Sequence, residues 1–116
     1  MPKTLTEVQV DALLAAPDVG TALGLRDRAM LELMYASGLR VSELVQAKSV
    51  HAGLAEGVLR VLGKGARERL VPFGEEAHAW LVRWLAVGRP ALLTTKAGKL
   101  RASDALFVTR RASGMT

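Results

Sequence analysis

Apolar residues recur every three or four positions in three stretches of the first half of the chain, as on one face of a helix. A first helix should begin after Thr6, whose capping box includes Gln9, and a second should cover residues 25–37 and end at Gly38. Residues 18–24 are predicted to be a loop, and a third helix should begin near Arg40. The side chains expected to face inward are Val10, Leu13, Leu14, Leu25, Ala29, Met30, Leu33, Met34, Val41, Leu44 and Val45.

The pattern becomes strand-like in the middle of the chain. Residues 58–62 and 68–72 are rich in Val, Leu and Arg, and glycines stand in the short segment between them. Two such runs with a glycine-rich connection predict a β-hairpin. Pro72 has no amide hydrogen, so it places the second strand at an edge or close to its end.

A fourth helix should cover residues 75–87, with Ala77, Trp80, Leu81, Trp84 and Leu85 on its apolar face. A basic loop over residues 89–101 and a short strand over residues 106–108 should follow, and a further helix is expected beyond residue 116. Together these elements predict one α+β domain over residues 1–116. It should be mainly helical, with about four helices and a small antiparallel hairpin or sheet.

Composition limits the class of protein. The chain has 116 residues, half of them hydrophobic, which suits one folded domain and argues against disorder. No apolar run approaches the roughly 18 residues of a membrane span, and the first residues do not resemble a signal peptide. There is no cysteine, so disulfides and cysteine metal sites are excluded, and two histidines are too few for most zinc sites. The chain is expected to be soluble and cytoplasmic.

Charge is unevenly distributed along the chain. Residues 1–76 contain nine Lys and Arg against ten Asp and Glu, whereas residues 77–116 contain seven against one. Excess positive charge favours a polyanion such as DNA, because binding releases counterions from its phosphates. A solvated basic surface without a partner explains the same composition.

Arg40 is the first candidate for binding a phosphate. It follows a Gly38-Leu39 turn at a predicted helix start, so the glycine and the apolar face of the helix fix its position. A guanidinium held there could bind two phosphate oxygens at once. The alternative is a surface arginine that pairs with Glu43.

Lys64 lies at the predicted hairpin tip between two glycines, where an ammonium could reach a nucleic-acid backbone. Arg67 and Arg69 add positive charge beside it and are candidate DNA contacts. The alternative is a solvated loop lysine. A nucleotide-binding P-loop is excluded, because the preceding glycine, Gly57, is one position too distant and a glycine follows the lysine where Ser or Thr is needed.

Two stretches of the chain, residues 25–44 and residues 60–72, form a pair of motifs, recognised by their order and by the spacing between them. Residues 25–44 contain Ser37-Gly38-Leu39-Arg40-Val41-Ser42-Glu43-Leu44. Residues 60–72 contain Gly63-Lys64-Gly65-Ala66-Arg67-Glu68-Arg69-Leu70-Val71-Pro72, and Lys64 follows Arg40 by 24 positions. Together they resemble the catalytic domain of tyrosine site-specific recombinases, the phage-integrase-like family, in its Xer branch. The chain is therefore expected to be the N-terminal part of such a domain.

The resemblance implies an enzyme that cuts and rejoins DNA through a 3′-phosphotyrosyl intermediate, without metal or nucleotide. It implies that Arg40 stabilises charge on the scissile phosphate, that Lys64 protonates the departing 5′-oxygen, and that Glu43 orients Arg40. It also implies DNA as a partner, together with further recombinase subunits in a tetramer on that DNA.

The family's other catalytic groups include a His-x-x-Arg motif and the tyrosine nucleophile. Neither His51 nor His78 has an arginine three positions later, and the only tyrosine, Tyr35, lies in an apolar pattern typical of packing. Trp80 and Trp84 also fall on an apolar face and are expected in the core rather than on a base-stacking surface. The 116 residues alone are therefore expected to be inactive.

Two other classes of protein fit this sequence: a basic module that binds DNA without cutting it, and a helical interaction protein whose charge is incidental. The predicted elements also carry more apolar side chains than they can readily cover, so self-association is expected. The alternative is a compact monomer. The side chains concerned are Leu13, Leu14, Met30, Leu33, Met34, Trp80, Leu81, Trp84 and Leu85.

Overall fold

The computed structural model describes residues 6–63 and 67–109, so the predicted catalytic Lys64 lies outside the described residues. The helices are α1 (Glu7–Ala15), α2 (Ala22–Ser37), α3 (Val41–Gln46), α4 (Gly74–Arg83) and α5 (Arg89–Leu93). The strands are β1 (Ala52–Gly53), β2 (Val58–Leu62) and β3 (Glu68–Pro72). This arrangement confirms the mainly helical α+β fold with a small antiparallel sheet.

α1 begins with the predicted capping box, which is confirmed. The Thr6 hydroxyl accepts a hydrogen bond from the Gln9 amide at 3.1 Å, and the Gln9 side chain accepts one from the Thr6 amide at 2.9 Å. The predicted inward stripe is wrong for Leu13, which is 47% exposed, and no residue of the helix is fully buried. α1 packs against α2 as a peripheral element, with Val10 and Leu14 half-buried.

α2 begins three residues before its predicted start. The Thr21 hydroxyl caps the helix by accepting from the Gly24 amide at 2.9 Å. Gly24 lies inside the helix, and a side chain is excluded there because the chain at Asp18 packs so closely that a Cβ would lie 1.7 Å from the Asp18 carbonyl oxygen. The predicted end is confirmed, since Gly38 has a φ of 67° and its amide donates to the Met34 carbonyl at 3.0 Å.

The three strands form an antiparallel sheet in the order β1-β2-β3. β2 and β3 are the predicted hairpin with the predicted limits, whereas the two-residue β1 was not predicted. Leu59 and Val61 of β2 are buried, and the register places Val71 and Arg69 of β3 opposite them on the same face. The core-facing side of the hairpin therefore carries an arginine near the tip.

The backbone stays helical from α4 through a π-helical segment, Trp84–Gly88, into α5. The predicted basic loop is therefore wrong over residues 89–93. Gly88 does not end the helix but makes room for a buried ring, since a Cβ there would lie 2.5 Å from Cε3 of Trp84. The Trp84 indole donates to the Leu106 carbonyl at 2.9 Å, which attaches the helix to the end of the described chain.

The strand predicted over residues 106–108 does not form, although those residues are buried. Backbone pairing is limited to an isolated antiparallel bridge between Lys48 and Ala105, in which the Leu106 amide donates to the Ala47 carbonyl at 2.9 Å. Side chains bind the neighbouring carbonyls: Trp84 donates to Leu106, and Arg89 donates to Ala105.

The core lies between α2, the continuous helix formed by α4 and α5, and one face of the sheet. Leu33, Leu44 and Trp84 are buried as predicted, but Val41 is 52% exposed and its inward placement is wrong. Val41 lies in the first turn of a helix of only six residues, whose buried side is occupied by Leu44. The largest fully buried side chains are Trp84, Phe73, Phe107, Leu33, Leu44, Leu59, Leu81, Leu106 and Val108.

Candidate nucleic-acid interface

Arg40 stands between α2 and α3 in an extended conformation, with a φ of −85° and a ψ of 152°. Leu39 before it and Leu44 after it are buried, so the chain is anchored in the core on both sides. Arg40 itself is exposed, and its guanidinium has no ion pair within residues 6–63 and 67–109. A fixed backbone thus presents a cation to solvent.

Glu43 contacts both that backbone and the hairpin. Its Oε1 accepts from the Arg40 amide at 2.9 Å, and its Oε2 accepts from Nη2 of Arg69 at 2.9 Å. The hydrogen bond from the Arg40 amide is the main cause that lowers the pKa of Glu43 below its ordinary value of 4.5, against the opposing effect of burial. The hydrogen bond and charge of Arg69 lower it further, and the charge of Arg40 lowers it least. The carboxylate is therefore ionised at neutral pH and joins the two elements.

This contact differs from the predicted surface pair. Glu43 touches the backbone amide of Arg40, while its ion pair is with Arg69. The alternative in which the Arg40 guanidinium forms a direct ion pair with Glu43 is therefore wrong among the described residues, and the Arg40 charge acts on the carboxylate only as a minor effect. The orienting role of Glu43 stays a prediction, now with a backbone contact through which it would act.

The hairpin end provides the other cations. The Gly63 amide donates to the Arg67 carbonyl at 2.7 Å, and Arg67 is exposed and makes no ion pair with any described residue. Arg60 points to the opposite face of the sheet from Arg69 and pairs with Glu68 at 3.4 Å. Lys64 follows Gly63 in sequence but lies outside the described part of the chain.

The structure therefore brings the predicted residues of two motifs to one region. Direct bonds connect Arg40, Glu43 and Arg69, and Arg67 is two positions along the hairpin from Arg69. Chemically, exposed guanidinium groups around a shielded carboxylate can bind phosphate oxygens. That Arg40 and Lys64 serve one phosphate stays a prediction.

The aromatic residues need one correction. Trp84 is fully buried as predicted, and Trp80 is half-buried between Arg28 and Arg83, whose guanidinium carbons lie 4.3 and 4.9 Å from its ring centroid. Tyr35, predicted to pack, is 62% exposed and that prediction is wrong. The core-facing side of α2 is formed by residues such as Leu25, Ala29 and Leu33, and Tyr35 lies on the solvent side of the helix.

Both histidines have structural contacts. The Nε2 of His78 lies 3.0 Å from the Leu54 carbonyl, as a donor to it, and the ring stacks on Phe73. The Nδ1 of His51 accepts from the Lys48 amide at 3.1 Å. Within the described residues, no cluster of three or more His, Asp or Glu side chains is arranged to hold a metal ion.

Part of the positive charge of the C-terminal half is used inside the fold. Arg89 donates to the carbonyls of Ser103 at 2.7 Å and Ala105 at 2.7 and 3.0 Å, and Arg101 donates to the Leu92 carbonyl at 3.1 Å. Sequence reasoning missed this role, because it placed Arg89 in a loop. The signal was the helical spacing, which continues past Gly88. None of the helices in the described ranges is long and apolar enough to cross a membrane.

The sequence of residues 3–116 matches the phage integrase family, and the chain belongs to that family. It is 64% identical over 117 aligned residues to the tyrosine recombinase XerD of Ralstonia nicotianae, and the alignment covers the whole chain and 36% of the relative. It is 54% identical to the XerD of Pseudomonas putida, again over its whole length and over 37% of that protein. The chain thus spans about a third of the length of these relatives.

Solved structures agree with this assignment. The XerA recombinase superposes over the whole chain and 38% of its own chain, with a TM-score of 0.79 and 26% identity. The XerH recombinase in its pre-cleavage complex with difH has the same fold, with a TM-score of 0.72 over 99% of this chain and 33% of its own. The fold is therefore that of the corresponding third of these recombinases.

Proposed function

We propose that this chain is the N-terminal part of the catalytic domain of a Xer-type tyrosine recombinase. The longer protein would cut and rejoin DNA at a specific site through a phosphotyrosyl intermediate, in the cytoplasm and in the service of chromosome segregation. The observation that carries the proposal is the exposed Arg40 guanidinium, which is fixed through its backbone and has no ion pair among the described residues. Family membership and the XerD relatives support it.

Each residue of the interface has a distinct role in this proposal. Arg40 binds the scissile phosphate and stabilises the charge that builds up as the tyrosine attacks. Lys64, assigned from sequence, protonates the 5′-oxygen as it leaves. Glu43 orients Arg40, and Arg67 neutralises a neighbouring phosphate.

Other parts of the longer protein would supply the remaining chemistry. The nucleophilic tyrosine and the His-x-x-Arg groups are proposed to lie outside these 116 residues, since Tyr35 belongs to the helix that precedes the motif of Arg40. The chain alone is then inactive. Its partners are DNA and further recombinase subunits, in a tetramer on the DNA.

A graft tests this function. The chain replaces the aligned segment in the XerD of Ralstonia nicotianae, and single-turnover cleavage of a suicide DNA substrate is measured. The graft should cleave, and Arg40→Ala should slow cleavage by on the order of 100-fold or more, because one lost donor to a transition-state oxyanion costs about that much. The melting curves of the graft and of its Arg40→Ala variant should be alike, which would show that the substitution leaves the fold intact. Cleavage by Arg40→Ala at nearly the unmodified rate would contradict the catalytic role of Arg40, whereas a folded graft that binds DNA without cleaving it would favour the module that does not cut.

A further inference from the structure

The three described arginines of the hairpin have different surroundings. Arg67 is exposed and unpaired among the described residues, and Arg60 makes a surface pair with Glu68 at 3.4 Å in which both side chains are about half exposed. Arg69 instead reaches Glu43 at 2.9 Å; the arginine side chain is 54% exposed, but the carboxylate is only 19% exposed. A short charge-assisted bond to a shielded carboxylate holds its partners more firmly than a longer pair between two exposed groups does.

The strand register explains why Arg69 is the one that reaches α3. It lies opposite the buried Val61, on the core-facing side of the hairpin, and its partner Glu43 is 26 residues away in sequence. Glu43 then uses its second oxygen to bind the Arg40 amide. One carboxylate thus connects a strand near the hairpin tip to the backbone of the exposed arginine.

We propose that Arg69 is a positioning residue, which holds Glu43 so that the Arg40 guanidinium is aimed, and that it is not primarily a DNA contact. The inference rests on the proposed function. It replaces the DNA-binding role that sequence position predicts for Arg69, and it leaves that role with Arg67.

The physical reason lies in how Arg40 is held. Its guanidinium has no ion pair among the described residues, so the structure restrains Arg40 at its backbone, and Glu43 is the side chain bonded to that backbone. A reacting group that shifts by about 1 Å can lose on the order of 100-fold in rate. A displacement of the hairpin would pass through Arg69 and Glu43 to Arg40, which links the strand that leads to Lys64 with the phosphate-binding group.

The first test measures cleavage in the graft. Arg69→Ala should lower the single-turnover rate at saturating DNA by on the order of 10- to 100-fold, while the Kd for DNA stays unchanged. Arg69→Lys should restore part of the rate, because it keeps the charge without the planar fork. Adding Glu43→Gln to Arg69→Ala should cost little more, because both changes break the same link.

Two other arginines provide controls. Arg60→Ala removes an ion-paired arginine from the opposite face of the same hairpin and should leave the rate and the Kd unchanged. Arg67→Ala should raise the Kd. If Arg69→Ala raises the Kd as Arg67→Ala does and cleaves at the unmodified rate, or if its effect multiplies with that of Glu43→Gln, the positioning role is wrong.

A second test needs no catalysis and uses the 116-residue chain. NMR titration of the Glu43 carboxyl should show its pKa rise in Arg69→Ala and change less in Arg60→Ala, because Arg60 shares a small cavity with Glu43 but is paired with Glu68. The Arg40 amide should exchange faster in Arg69→Ala. His51 and Arg60 line a small cavity with Glu43, so His51→Gln is titrated in parallel. An unchanged Glu43 pKa in Arg69→Ala overturns the link. A graft that does not cleave DNA would count against the proposed function. The titration of the 116-residue chain would still test whether Arg69 holds Glu43 against the Arg40 amide.

Discussion

Glu43 is the residue on which the geometry of the interface depends most. Its pKa is lowered by the Arg40 amide and by Arg69, so its charged form is bound more tightly in the folded chain than in the unfolded chain. A carboxyl with a lowered folded pKa contributes stability that is fully present above its ordinary value of 4.5. That contribution is lost as the pH falls through the lowered pKa.

This sign gives a prediction for Glu43→Gln. At neutral pH the variant should be less stable than the unmodified chain by about 1 kcal/mol, the usual size of a lost capping or charged interaction. The difference should begin to shrink below pH 4.5 and approach zero only as the pH falls through the lowered pKa, because the carboxyl of the folded chain is protonated only there. Urea unfolding at a series of pH values measures both limits. A difference that is constant with pH would show that the charge of Glu43 does not stabilise the fold.

Glu68→Gln is the matched control for that series. Its partner Arg60 lies at 3.4 Å and both side chains are about half exposed, so its loss should change stability less than the loss of Glu43 does. An equal loss of stability in the two variants would mean that partial burial of the Glu43 carboxylate does not strengthen its interactions.

Single residues differ in how far their sequence context determines their surroundings. The turn before Arg40 could be predicted, because a glycine at the end of a helix favours a left-handed cap, and Gly38 adopts one. The partner of Arg69 could not be predicted, because Glu43 is 26 positions away and only the packing of α3 beside the hairpin brings them together. The exposure of Tyr35 could not either, since periodicity does not say which apolar residues a neighbour covers.

Elements were predictable where the local pattern and the packing agree. The hairpin limits are as predicted, because two strand-like runs meet at glycines that no helix or strand would favour. Gly24 and Gly88 misled the prediction, because each glycine serves close packing inside a helix rather than a loop or an end. The sequence alone does not distinguish a glycine that allows close packing within a helix from a glycine that ends one.

The continuation of the helix into α5 gives Arg89 a structural task that can be tested. Arg89→Met should destabilise the chain by about 2 kcal/mol, since the carbonyls of Ser103 and the buried Ala105 lose their donors. Thermal or urea unfolding measures the change. Lys96→Met, which removes an exposed cation from the next turn of chain, should leave stability within about 0.5 kcal/mol. Equal effects of the two variants would refute the structural role of Arg89.

At the scale of the whole molecule, the net charge of +5 predicts weak and sequence-tolerant DNA binding by the 116-residue chain. The affinity should fall steeply with salt. Arg67→Ala should reduce the slope of log K against log salt by about 1, as for a lost phosphate contact, whereas Arg89→Met should leave the slope unchanged. Fluorescence anisotropy over a salt series measures the slopes. Absence of binding at low salt would contradict the prediction, and tight sequence-specific binding would mean that the recognition elements are misplaced.

Part of the predicted apolar excess is buried in the structure. Of the side chains that the elements were expected to leave uncovered, Leu33, Leu81 and Trp84 are fully buried and Met30 nearly so. A groove between α1, α2 and the start of α3 is lined by Leu13, Ala16, Pro17, Asp27, Met30, Leu31, Met34 and Val41. Other exposed apolar side chains, such as Leu62, Leu70 and Val87, lie outside this groove. Any self-association is therefore expected at this groove rather than along the whole helical face.

We propose that the 116-residue chain forms a dimer through this groove, because exposed apolar side chains that lie together gain free energy by covering one another. Sedimentation velocity over a wide concentration range should show a concentration-dependent shift. Leu13→Glu puts a charge on a groove residue that is 47% exposed and should abolish the shift, whereas Val8→Glu, on the same helix but 78% exposed and outside the groove, should preserve it. A chain that stays monomeric at every concentration and melts cooperatively would be the compact monomer instead, and the groove would then be stable in water on its own.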